Sequence, residues 1–210
     1  MKKILFFAVA LILVSLTACE KKITDFENVI EVTPEDCVKW GLNEVHFKIS
    51  HPTDEAISVW KAVEGSKNLS YIMIDHLTKD ELSNEEISIG YCNNCLITSD
   101  EDLLSLIEEL VNQFEVQLPN FEKKSIEVEK FWGEKRVVAK FTFGDKEPMY
   151  DFFEAGDYHG IITVITEGST TDNGVVVIML GNQNSGIEDF SDFGKKGNLA
   201  DIFKTFRFVE

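Results

Sequence analysis

One stripe of apolar residues at helical spacing runs between Ser99 and Leu118, and nearly every other patterned segment of the chain is of β type. Leu103, Leu104, Ile107, Leu110, Val111, Phe114 and Leu118 share one face of that helix, while Glu108, Glu109, Asn112 and Glu115 share the other. Ser99 with Asp102 three residues on makes a capping-box-like start, and Pro119 stops the helix. A single long helix cannot bury its stripe against another of its kind, so it must lie on a sheet. Its polar face is acidic, which argues against a membrane surface as the partner.

The segments before the helix supply strands. Val45, Phe47 and Ile49 alternate with polar residues up to His51-Pro52, a half-buried strand with a proline terminator. Ile57–Val63 and Leu69–Asp75 are β-rich and bracket a turn at Gly65 and Asn68. Ile87, Ile89 and Tyr91 alternate again, after a polar stretch, Thr78–Glu86, that reads as a loop or one helical turn. After the helix, Ile126, Val128 and Lys130–Trp132 lead into a turn at Gly133-Glu134, and Val137–Phe143 returns as a hairpin partner. Met149–Phe153 reads as a short strand. Tyr158–Thr166 and Val175–Leu180 are long β-branched runs joined by a loop at Gly168–Gly174. Gly181–Gly186 reads as a surface loop. Asn198 with Asp201 starts a short helix, and Thr205–Val209 closes the chain as a strand. This order predicts an α+β fold, an antiparallel sheet with packed helices.

The N-terminus carries an address. Lys2 and Lys3 precede an apolar run from Ile4 to Val14, too short to span a bilayer comfortably, and small residues follow. Leu16-Thr17-Ala18-Cys19 resembles a bacterial lipobox. The resemblance implies that Cys19 becomes the first mature residue and carries acyl chains, palmitate among them, on its sulfur and amino group. Residues 1–18 are then a lipoprotein signal peptide, 19–36 a tether interrupted by Pro34, and 37–210 one domain. Glu20, Lys21 and Lys22 do not form an acidic export signal, which points to the periplasmic face of the outer membrane. The formal charge is −17, and removing the leader deepens it by two, to −19. Such a surface repels nucleic acid and anionic headgroups, so lipid rather than charge must supply the anchor.

The element order is similar to that of the PsbP-like fold, which includes an extrinsic photosystem protein, a small Ran-binding protein and DcrB-type envelope lipoproteins. Four segments carry the resemblance: Phe47-Lys48-Ile49-Ser50-His51-Pro52, Phe131-Trp132-Gly133, Tyr158-His159-Gly160-Ile161-Ile162-Thr163 and Ile202–Phe208. It implies a PsbP-like α/β/α sandwich from about Trp40 to Glu210. It implies no shared catalytic residues, so it cannot name a function.

Few constellations carry chemistry. Cys92-Asn93-Asn94-Cys95 could close a disulfide across an Asn-Asn turn in an oxidising compartment, with Cys37 as an alternative partner. A redox pair would sit at a helix start, whereas Ser99 lies several residues beyond Cys95. A metal knuckle would need Cys37 and a histidine, and His46, His51, His76 and His159 have no ligand-like spacing. No nucleophile elbow, Ser-x-x-Lys start or phosphate-binding glycine loop occurs. Trp40, Trp60 and Trp132 read as core or rim anchors. The expectation is a non-enzymatic, lipid-anchored envelope protein without a cofactor, binding another envelope protein or a small ligand. Two alternatives stand beside it: a periplasmic thiol-disulfide protein using Cys92 and Cys95, and a divalent-cation-binding lipoprotein with acidic loops.

Overall fold

The computed structural model describes residues 25–40, 44–64, 69–92, 99–166 and 174–209, with backbone only at 38–40, 62–64, 69, 92 and 100. The leader, Cys19, Cys95, the Gly65–Asn68 turn and the body of the Gly168–Gly174 loop lie outside the described residues. In chain order the elements are β1 (Asn28–Val32), α1 (Pro34–Trp40), β2 (Phe47–His51), β3 (Ile57–Glu64), β4 (Leu69–Leu77), β5 (Ser83–Cys92), α2 (Asp100–Gln117), β6 (Glu122–Phe131), β7 (Glu134–Asp145), β8 (Gly156–Thr166), β9 (Gly174–Asn182), α3 (Ala200–Phe203) and β10 (Arg207–Phe208). Seven strands form one antiparallel sheet in the order β3-β4-β5-β9-β8-β7-β6, and three form a second in the order β1-β2-β10. The molecule is thus α+β, with antiparallel sheets and few helices, as the element order predicts.

The large sheet is covered on both faces. One face packs on the small sheet and α3 through Ile72, Ile74, Ile87, Ile89, Val177 and Met179, which meet Phe47, Ile49, Leu199 and Ile202. The other packs on α2, where Ile107, Leu110 and Val111 are buried against residues that include Ala139, Phe141, Ile162 and Ile178. Double coverage explains why β9 is apolar almost without a break and buried from Val175 to Asn182. Gly160 on β8 gives Phe141 room: a Cβ there would stand 2.3 Å from the Phe141 ring.

α2 begins and ends as its sequence specifies. Ser99 accepts a hydrogen bond from the Asp102 amide at 3.2 Å and donates to the Asp102 carboxylate at 3.0 Å. The Leu118 amide reaches back to the Phe114 carbonyl before Pro119 turns the chain away.

Four expectations need correction. The expected tether is partly structured: Asn28–Val32 is β1, and Pro34 opens α1 at its first position, where its missing amide costs nothing. Thr33 and Asp36 exchange hydrogen bonds across that start, so Pro34 belongs to a cap and not to a break. Ser83–Glu86, expected as loop, is the first part of β5, because Glu85 and Glu86 pair with His76 and Asp75. Met149–Phe153 is a tight turn with two residues at positive φ, Tyr150 and Asp151, and not a strand. Asn198 does not cap α3. The carboxylate of Glu85, far away in sequence, accepts the Asn198 amide at 2.6 Å and the Leu199 amide at 3.3 Å.

Candidate functional site

α2 lies over β6, β7 and β8 and leaves the other half of that face open. Register places side chains there in rows. Trp60, Met73, Ser88 and Ile178 form one row across β3, β4, β5 and β9, and Ser58, Asp75, Glu86 and Leu180 form the next. Between this surface, the side of α2 and the Met149–Phe153 turn opens a cleft of about 720 Å³. That volume lies in the range that holds small-molecule ligands. Its walls are Tyr71, Met73, Leu110, Phe114, Ile178 and Leu180, and Glu86 and Ser88 are part of its floor.

The rim is apolar as well. Val116 on α2 is 87% exposed and Tyr150 in the turn 66%. Trp60, one register step beyond Met73, is 55% exposed. Large apolar side chains left in water around one cavity mark an interaction site more often than a bare surface. The turn that carries Tyr150 is fixed to β5: the Ser83 amide donates to the Phe152 carbonyl at 2.7 Å, and the Glu154 amide donates to the Ser83 carbonyl at 2.9 Å. The Tyr150 hydroxyl donates to the Gln117 carbonyl at the end of α2 and so closes one end of the cleft.

The chemically unusual part is the floor at Glu86, beside which Asp75 is buried on β4 outside the cleft wall. Asp75 and Glu86 are cross-strand partners and both are buried. The Ser88 hydroxyl donates to Glu86 at 2.5 Å, and the Ser83 hydroxyl donates to Asp75 Oδ1 at 3.0 Å. Asp75 Oδ2 has no partner. Burial pushes both carboxyls well above their ordinary range, and the negative field of Asp75 adds to the rise at Glu86. No Lys or Arg side chain lines the cleft, and no described cation pairs with either acid. Like charges directly opposite one another on a sheet destabilise it, and buried carboxylates are rare without a counter-charge.

The residues singled out in the sequence do not converge on this cleft. The Cys37 thiol is free and buried, and donates to the Val45 carbonyl at 3.5 Å. Burial pushes its pKa up, which makes it a poor nucleophile. The Cys92 side chain and all of Cys95 lie outside the described residues. His46 meets Glu31 at 2.7 Å, His51 contacts its neighbouring Pro52 carbonyl, and His76 joins Asn84 and Asn198. His159 lies edge-on to Phe190, its Nδ1 without a partner. Among the described residues no three His, Cys, Asp or Glu side chains stand where they could share a metal ion. Trp132 is anchored, its indole donating to the Phe193 carbonyl at 3.0 Å, whereas Trp60 is a rim residue.

The site is hidden in the sequence because Glu86 falls where the chain reads as loop. Glu86, Ser88 and Gly90 alternate with Ile87, Ile89 and Tyr91, a pattern that looks like an ordinary solvent face. Only the pairing of Glu86 with Asp75, and the position of α2, turn that face into a cavity floor.

No protein-family model and no curated sequence matches the chain. Two solved structures show a distant similarity to the chain. A Pseudomonas aeruginosa protein of unknown function, described as a candidate regulator, covers 63% of this chain and 74% of its own at 13% identity, with a TM-score of 0.30. Cyanobacterial PsbP from Synechocystis, solved in solution, covers 92% of this chain and 99% of its own at 13% identity, with a TM-score of 0.43.

Proposed function

We propose that the protein is a non-enzymatic module of the bacterial envelope, anchored by lipid on Cys19, that binds a small apolar molecule between α2 and the open half of the large sheet. The observation that carries this reading is the 720 Å³ cleft with apolar walls and an exposed apolar rim. The lipobox-like Leu16–Cys19 supports the address. The four sequence segments that resemble the PsbP-like group support a divergent domain of that kind, a fold with which a binding role is compatible. A ligand that fills the cleft gains roughly 25 cal/mol for each Å² of apolar surface removed from water.

The test uses the mature chain, residues 19–210, with Cys19→Ser so that no acyl chain competes for the cleft. N-phenyl-1-naphthylamine, an uncharged dye that brightens in apolar surroundings, should bind at micromolar concentration. Met73→Trp fills the floor and Gln113→Trp roofs the mouth, and each should weaken dye binding at least tenfold with the fold intact by circular dichroism. Dye binding that is absent, or unchanged in both variants, overturns the reading.

A further inference from the structure

We propose that the ligand is an amphiphile whose head is a primary ammonium group, seated on Glu86 with Asp75 buried behind it, and whose apolar tail lies along Leu110, Phe114, Ile178 and Leu180. This rests on the cleft being a binding site and adds to it the chemical class of what is bound.

Two features of the floor select that head. Glu86 lines the cleft and Asp75 stands directly behind it on the adjacent strand, each holding one serine hydroxyl and neither a cation, so what the pair lacks is positive charge. An ammonium brings three donors and a unit charge, where an alcohol brings one donor and none. Second, the cleft supplies no cation of its own, and the phenols of Tyr71 and Tyr150 and the amides of Gln113 and Gln117 are its polar side chains besides Glu86 and Ser88.

The competing occupants fit less well. A fatty acid would place a third carboxylate against two. A hard divalent cation takes six to eight oxygens, and the floor offers the Glu86 carboxylate and the Ser88 hydroxyl, with no group of three acidic, His or Cys side chains among the described residues. A head-and-tail ligand also uses both parts of the cavity, whereas a bare ion would leave the apolar walls and the rim of Val116, Tyr150 and Trp60 without a role.

The experiment is displacement of bound N-phenyl-1-naphthylamine from the Cys19→Ser mature chain by n-decylamine, 1-decanol and decanoate at pH 7.5. These compounds share a tail and differ in the head. Decylamine should displace the dye at a concentration at least tenfold below that of decanol, with decanoate the weakest. The paired substitution Asp75→Asn and Glu86→Gln keeps the shape and removes the charge. It should retain dye binding and bring decylamine to within about threefold of decanol. Equal displacement by amine and alcohol in the unsubstituted floor overturns the inference while dye binding preserves the cleft reading. Decanoate as the best competitor overturns it too, since the pair would then act as protonated donors. If the paired variant fails to fold, Glu86→Gln alone must lower the amine preference at least threefold, and an unchanged preference refutes the proposal. Absence of dye binding removes the cleft reading itself, and that outcome is distinct from the others.

Discussion

Burial raises three carboxyls, Asp75, Glu85 and Glu86, and so governs how single residues respond to pH. Glu85 is the clearest because it caps α3 and has no acid partner. Burial pushes it up to about 7 from an ordinary value of 4.5, against the opposing pull of the Asn198 and Leu199 amides. Its folded pKa is higher than its unfolded one, so the folded state holds a proton that the unfolded state has already lost between about pH 4.5 and 7. Stability from this group is therefore fully present below pH 4.5 and is lost as pH rises through 7, by at most about 3 kcal/mol. Thermal melts should show higher stability at pH 5 than at pH 8. Glu85→Gln should flatten that slope while Oε1 still accepts the two amides. A slope unchanged by Glu85→Gln would show that Glu85 holds no such proton and that another group carries the slope. Gly197 tests the same latch from the other side. Its φ is +92°, and a Cβ would lie 2.4 Å from the Glu85 carboxylate. Gly197→Ala should destabilise by at least about 1 kcal/mol from backbone strain alone, read as a shift in denaturant midpoint, with further loss from displacing the cap.

Among the elements, α2 carries the largest energetic share that one substitution can probe. Ile107 is fully buried on the sheet, while Glu108 and Glu109 are exposed. Ile107→Ala should cost about 2–5 kcal/mol, and Glu109→Ala a few tenths. Equal losses in urea melts would mean that the stripe is not packed as described. This helix was legible because stripe, cap and stop are all local: Leu103 to Leu118, Ser99 and Pro119 agree with one another. Most strands were legible for the same reason, through alternation or β-branched runs. Thr33-Pro34-Glu35-Asp36 was also a readable signal, a proline at the first helical position inside a cap, and it was lost by reading Pro34 as a breaker. What sequence could not give is anything fixed by long-range pairing. The Glu85 cap joins residues more than 110 positions apart, and the cleft exists because α2 sits on β6–β8 and not on β4 and β5. Ser83–Glu86 looks polar enough for a loop because Glu86 of the cleft floor and Glu85 of the α3 cap both lie in it. The local chemistry that obscured the strand is the same chemistry that makes the cavity floor unusual.

At the scale of the whole molecule, charge and anchor have to be considered together. The chain carries a formal charge of −17, and its polar surfaces repel an anionic bilayer. No helix among the described residues is long and apolar enough to cross a membrane. The anchor proposed above is the N-terminal segment, where Cys19 follows the lipobox-like Leu16-Thr17-Ala18. Asp25 is tied to Arg207 on β10, so the described part of the chain begins against the small sheet. Five residues lie between Cys19 and Asp25, and six steps at about 3.5 Å per extended residue allow a reach of roughly 20 Å. A lipid on Cys19 would therefore tether the domain from the side of the small sheet, whereas the cleft opens on the other face of the large sheet. Two acyl chains would hold the protein through apolar burial, which salt does not screen, whereas attraction between charges would weaken within a Debye length of about 3 Å at 1 M salt. Membranes washed in 1 M salt should therefore retain the protein. Its intact mass should correspond to residues 19–210 plus acyl chains, and Cys19→Ala should abolish both the acyl mass and the cleavage after Ala18. A native protein that keeps residues 1–18, or that starts at Cys19 without acyl mass, would replace the lipid anchor with another form of attachment.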